Sequence, residues 1–210
     1  MAMIKAAVFA SGTGSNFDAI VKASEAGGIP WDIQLLVCDR RDAGVIKKAE
    51  QKNIDTFVFS PKEFDGKDAY ERQILLECRE RGIEWVFLAG YMRLIGPVLL
   101  EPFKNRIINI HPSLLPAFPG KDAIGQAFEK QVKVTGVTIH YIDDGMDTGP
   151  IIEQEAIRIT AKDTRKTLQQ KIQAVEHSLY PKVIQSLLVE EEVHWVKRSE
   201  HYWVFPIKQG

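Results

Sequence analysis

Short apolar runs alternate along the chain with segments whose apolar residues recur every three or four positions. Ile4–Ala10 is nearly continuous in apolar character, the pattern of a strand covered on both faces. Asn16–Ala26 has helical spacing and is ended by Gly27-Gly28. Ile33–Cys38 reads as a second strand, Ala43–Lys52 as a helix and Thr56–Phe59 as a third strand. Lys67–Arg81 is a helix stopped by Gly82, Trp85–Leu88 a strand ending at Ala89-Gly90, and Ile107–Ile110 a further strand. This alternation predicts an α/β fold: βαβ units in a doubly wound, mostly parallel sheet, Rossmann-like in the N-terminal half.

The second half has a different rhythm. Val134–Ile142 and Ile151–Ile159 are longer strand patterns joined by Asp143–Pro150, which predicts antiparallel C-terminal strands. Asp163 and Thr164 can cap a long helix whose apolar positions Leu168, Ile172, Val175, Leu179, Val183 and Leu187 fall on one face. Pro181 predicts a kink in it. The tail Val193–Val204, with Trp195, Tyr202 and Trp203, predicts edge strands that pair across a homodimer or along their own sheet. No repeat, low-complexity stretch or linker divides the chain, so residues 1–210 read as a single domain.

Composition narrows the function classes. The 210 residues carry 27 Lys and Arg against 28 Asp and Glu, a net charge of −1, and 45% are hydrophobic. A chain of this size buries roughly 70% of its unfolded surface. Balanced charge argues against nucleic acid or an anionic membrane as partner and leaves room for a local cationic pocket. No apolar run approaches the ~20 residues of a membrane span. The first apolar stretch ends at Ala10 and meets polar turn residues, which is short for a secretory leader. Cys38 and Cys78 are the only cysteines, too few for a disulfide framework and without C-x-x-C spacing. A reduced, cytoplasmic chain is expected.

Three segments carry candidate chemistry. Ser11-Gly12-Thr13-Gly14-Ser15-Asn16-Phe17 joins a strand to a helix, where backbone N–H groups and the helix dipole suit one phosphate. Phe17 stands where a dinucleotide fingerprint needs its third Gly, and no P-loop Lys follows. The alternative is a plain tight turn capped by Asn or Ser. In the second segment, Asn109 and His111 share one side of a strand at its C-terminal end, where open α/β sheets place ligands. An amide beside an imidazole suits a reaction that develops an oxyanion; the alternative is a structural histidine. Ser113 lacks the G-x-S-x-G elbow, so the attacking group is expected to belong to a substrate. The third segment, Asp143-Asp144-Gly145-Met146-Asp147-Thr148-Gly149-Pro150, reads as a surface acidic turn or as the source of a carboxylate for His111. A metal held by His111, His140 and an Asp lacks any motif spacing, and none is expected. His140 is expected to be packed or hydrogen-bonded within its strand.

Together these segments resemble the phosphoribosylglycinamide formyltransferase family, the folate-dependent enzymes of purine synthesis. The likeness also rests on Leu88-Ala89-Gly90-Tyr91-Met92-Arg93, Asn109 to Pro116, Gly136-Val137-Thr138-Ile139-His140, Met146 to Pro150 and Glu176-His177-Ser178-Leu179-Tyr180-Pro181, in order. The resemblance implies transfer of a formyl group from the co-substrate 10-formyltetrahydrofolate to the amine of glycinamide ribonucleotide, without a metal. It implies Asn109, His111 and Asp147 as the catalytic set, and a ribonucleotide site at Gly14, Ser15, Asn16, Gln173 and Glu176. It implies a folate site at Lys67, at Met92, Arg93, Leu94 and Ile95, at Asn109, and at Asp143, Asp144, Gly145, Met146 and Asp147. Lys67 is assigned to phosphate or folate, and Ala117–Asp122 to no role. Residues 1–110 then form the phosphate-binding half and 111–210 the folate and catalytic half.

The mechanism expected from the resemblance is direct transfer, with Asn109 and protonated His111 stabilising the oxyanion and Asp147 holding and charging His111. Methionyl-tRNA formyltransferase and formyltetrahydrofolate deformylase share this chemistry but carry further domains, for which the length leaves no room. A non-catalytic phosphate-binding module is the alternative of another class.

Overall fold

In the computed structural model, which describes residues 3–26 and 31–189, the apolar runs form one seven-stranded sheet. β1 (Ile4–Phe9), β2 (Trp31–Cys38), β3 (Asp55–Val58), β4 (Trp85–Leu88) and β5 (Ile107–His111) are parallel. β6 (Val134–Tyr141) and β7 (Ile151–Arg158) add in antiparallel fashion, and the order is β3-β2-β1-β4-β5-β6-β7. Gly27-Gly28 and the tail strands expected over Val193–Val204 lie outside the described residues.

Alternation along β1 sends Ala6, Val8 and Ala10 to one face and Ala7 and Phe9 to the other, and all five are fully buried. The first face is covered by α1 (Ser15–Glu25), α2 (Gly44–Gln51) and α6 (Arg165–Val189), the second by α3 (Lys67–Glu80) and α4 (Pro97–Leu100). Coverage on both sides is why the parallel strands read as apolar runs. α6 continues through Pro181 as one helix. Its Tyr180 hydroxyl donates to the carbonyls of Leu88 (3.0 Å) and Ile108 (3.1 Å), which ties the helix to the sheet beside the proline.

Two short helices were not expected. α4 has four residues, and α5 (Ala123–Glu129) has seven with Gly125 inside, so neither spans enough turns to show a periodicity. α5 exists because the Asp122 side chain accepts from the Gly125 N–H at 3.2 Å and caps it.

The chain leaves β1 towards β2 on one side, and β4 lies on the other. The crevice between their C-terminal ends is the switch point where such sheets bind ligands. There the Ser11 N–H donates to the Gly90 carbonyl (3.1 Å), bringing the first turn against the segment after β4.

Candidate active site

The pairing of β5 with β6 sets Asn109 opposite His140 and His111 opposite Thr138, all on one face. His140 Nδ1 lies 2.8 Å from the Tyr141 carbonyl. A carbonyl only accepts, so Nδ1 carries the hydrogen, and Nε2 accepts from the Asn109 amide at 3.2 Å. His140 is fully buried and therefore fixes the orientation of Asn109. The expectation that His140 is packed or hydrogen-bonded in its strand holds, and its pairing with Asn109 appears once the strand register is known.

The same reasoning assigns His111. Nε2 donates to the Phe118 carbonyl at 2.8 Å, which leaves Nδ1 facing Asp147 Oδ2 at 3.4 Å. Asp147 therefore reaches His111, as the catalytic reading requires. Asp147 Oδ2 also accepts from the Gly120 N–H at 2.7 Å, and its Oδ1 lies 3.7 Å from His140 Nε2. The stretch Ala117–Asp122, given no role from sequence, thus holds both groups through Phe118 and Gly120. Its signal was the density of Pro and Gly around Phe118, which marks a fixed turn but not what that turn touches.

Burial pushes His111 below the ordinary imidazole value and outweighs the Phe118 hydrogen bond and the Asp147 charge, which push it up; His140 lowers it further. The expectation that Asp147 keeps His111 protonated at rest is therefore not met, because desolvation of the ring wins. Burial raises Asp147, but His140, the Gly120 N–H and His111 together bring it below the usual carboxylate range. Asp147 is ionised beside a mostly neutral imidazole.

The loop after β5 is locked from below. The Ser113 hydroxyl donates to the Ala117 carbonyl at 2.5 Å, so it is a loop brace. Thr138 Oγ1 donates to the Ser113 carbonyl (2.6 Å) and accepts from the Leu115 N–H (3.0 Å). In the acidic loop, Asp143 Oδ1 accepts from the Gly145 N–H (3.1 Å) and the Thr148 hydroxyl (2.7 Å). Asp143 builds the turn, Asp144 and Met146 are exposed, and Asp147, at φ 56°, turns inward. Both readings of this loop hold, each for a different aspartate.

At the first turn, Gly14 is the residue before α1, at φ 75°, with no side-chain cap. The Ser or Asn cap is therefore absent. A Cβ on Gly14 would lie 2.6 Å from Val45 Cγ2. Asn16 donates to Glu176 Oε2 on α6 at 3.2 Å, and Asn16 Oδ1 is buried with no partner. Gln173 lies one turn earlier on α6 and is half-buried. Burial raises Glu176 to about 7, against the Asn16 hydrogen bond, which lowers it. An open cleft of about 380 Å³ beside Ser15 is lined by Asp18, Lys22, Lys48 and His177.

On the segment after β4, Met92 is 62% and Leu94 50% exposed, whereas Ile95 is buried. The exposed apolar ledge is therefore Met92 and Leu94. Arg93 is drawn to Asp39 (Nε to Oδ2, 2.8 Å). Lys67 lies beside Gly96, at the end of this ledge. Among the described residues, no group of three or more His, Cys, Asp or Glu is placed to hold a metal ion.

Residues 4–184 match the family described as formyl transferase. This chain belongs to the formyl transferase family. Within it, a phosphoribosylglycinamide formyltransferase of Bacillus subtilis (strain 168) is 54% identical over 186 residues, 89% of this chain and 95% of that protein. A chloroplastic phosphoribosylglycinamide formyltransferase of Arabidopsis thaliana is 38% identical over 197 residues, 91% of this chain and 67% of that protein. Among solved structures, glycinamide ribonucleotide transformylase 1 from Geobacillus kaustophilus superposes with a TM-score of 0.86 at 55% identity, covering 89% of this chain and 99% of that one. The corresponding protein from Symbiobacterium toebii gives 0.89 at 38% identity, with 97% and 95% covered. The mixed sheet with antiparallel C-terminal strands is thus the formyl transferase fold of these relatives.

Proposed function

We propose that this chain transfers the formyl group of 10-formyltetrahydrofolate to the amine of N1-(5-phospho-D-ribosyl)glycinamide, in de novo purine synthesis in the cytoplasm. The observation that carries the mechanism is the convergence of Asn109, His111 and Asp147 at the C-terminal end of β5. The names and high identity of the relatives support the choice of substrates.

The uncapped first turn of α1 receives the ribonucleotide phosphate, and Gln173 and Glu176 face the glycinamide end. Met92 and Leu94 take the folate heterocycle, with Lys67 as a nearby point charge. The substrate amine attacks the formyl carbon, and the carbonyl becomes an oxyanion. The Asn109 amide, oriented by His140, donates to that oxygen. The neutral Nδ1 of His111 takes the proton leaving the amine, and Asp147 stabilises the imidazolium so formed. His111 then gives its proton to the departing folate nitrogen as the C–N bond breaks. No enzyme–formyl bond forms, and no step calls for a metal.

The deciding assay supplies 10-formyltetrahydrofolate with the ribonucleotide, with a free amine, or with tRNA. Transfer only to the ribonucleotide is expected. Transfer to tRNA, or hydrolysis without transfer, would refute the proposal.

A further inference from the structure

We infer that Asp39 and Glu71 are positioning residues for the folate reaction: two buried carboxylates that hold the two ends of the ledge Met92–Ile95. The inference rests on the assignment of that ledge to the folate.

The outer part of the ledge has little packing of its own, since Met92 and Leu94 face solvent and only Ile95 reaches the core. Its backbone must be held by something else. At its start, the Met92 N–H donates to Ser11 Oγ at 2.9 Å, and the Ser11 hydroxyl donates to Asp39 Oδ1 at 2.5 Å. Asp39 Oδ2 accepts from Arg93 Nε at 2.8 Å. One carboxylate at the end of β2 therefore serves two successive ledge residues, and it is only 5% exposed. At the other end, the Gly96 N–H donates to Glu71 Oε1 at 2.7 Å. Glu71, on α3, is 1% exposed, with Lys67 Nζ 3.8 Å away. A Cβ on Gly96 would lie 2.6 Å from Glu71 Oε2, so a side chain there would push the carboxylate aside.

Neither carboxylate contacts Asn109, His111 or Asp147. Burying carboxylates is unfavourable, and apolar side chains would pack a loop as tightly. What a carboxylate adds is a strong, directional acceptor for a backbone N–H. Burial raises Glu71, opposed by the Gly96 N–H and Lys67, as for an acceptor kept in place despite desolvation. Asp39, acting through Ser11, also links the ledge to the turn that faces the ribonucleotide.

The test is a comparison of KM values for the two substrates and of kcat. Glu71→Leu and Asp39→Asn should each raise KM for 10-formyltetrahydrofolate about tenfold, with kcat changed less than about twofold. For Glu71→Leu the ribonucleotide KM should also stay within about twofold. Glu71→Gln keeps an oxygen that accepts from Gly96 and should stay near wild type. Gly96→Ala keeps both acidic residues in the chain but pushes the Glu71 carboxylate off the Gly96 N–H, and should reproduce Glu71→Leu even if the latter folds poorly. Leu94→Asp tests the ledge itself: an unchanged folate KM removes the assignment on which the inference rests. A raised folate KM for Leu94→Asp, with Glu71→Leu and Gly96→Ala at wild-type values or shifting both KM values equally, overturns the positioning role alone.

Discussion

The imidazole of His111 sits between two acceptors, the Phe118 carbonyl and the Asp147 carboxylate, in a site dry enough to disfavour its charge. A ring of this kind is neutral at rest and charges when a proton arrives from substrate. The acid limb of kcat/KM should therefore fall below the ordinary imidazole value, which a pH–rate profile measures. His111→Ala should lower kcat by on the order of 10²–10⁴, with circular dichroism unchanged. Near-normal transfer would exclude the assignment. Glu176 yields a stability prediction. Its folded value is about 7 against an ordinary 4.5, so across that window the folded chain holds a proton the unfolded chain has released. Stability then falls as pH rises through the window, by on the order of 3 kcal/mol at most. Denaturant titrations of Glu176→Gln should lack this slope, so that the variant gains on wild type between about pH 5 and 8.

Among the elements, the strands and long helices were legible because their periodicity is local, whereas the loop between β5 and α5 was not. That loop matters through two backbone groups, the Phe118 carbonyl and the Gly120 N–H, and backbone groups leave no signature in side-chain identity. Its shape depends on Thr138 and on Gln154, whose amide donates to the Leu115 carbonyl at 3.0 Å. Gly120 has φ 78°, and a Cβ there would meet Met146 Sδ at 3.0 Å. Gly120→Ala should therefore cost roughly 1 kcal/mol in a thermal melt. It should also lower kcat by loosening Asp147, with KM for the ribonucleotide unchanged. A variant with unchanged kcat would show that Gly120 does not position the carboxylate.

For the molecule as a whole, α6 packs against α1, α5, β6 and β7 on one face of the sheet and presents Glu176 to the first turn. Two buried polar contacts seat this helix: the Tyr180 hydroxyl on the Leu88 and Ile108 carbonyls, and Trp31 Nε1 on the Ile184 carbonyl at 3.0 Å. Tyr180→Phe should lower stability by about 1 kcal/mol, a fall in Tm of roughly 2–4 °C. Ribonucleotide binding should weaken with it, because Gln173 and Glu176 ride on the same helix. A calorimetric scan with and without ribonucleotide separates the two effects.

The sequence by itself determined the alternation of strands and helices, the antiparallel turn of the second half, and the shared side of Asn109 and His111, since each follows from a period of two or of about 3.6 residues. The order of family motifs along the chain also carried the reaction class. The resemblance already pointed to Asp147; only the tertiary structure brought it within reach of His111, and only it decided that His140 orients Asn109, that Arg93 turns to Asp39, and that Ile95 is core. It also decided the protonation of His111, because that depends on how much water the folded chain excludes and which charges it brings near. These contacts join segments tens of residues apart, and no local pattern encodes a distance between segments that meet only when the sheet is assembled.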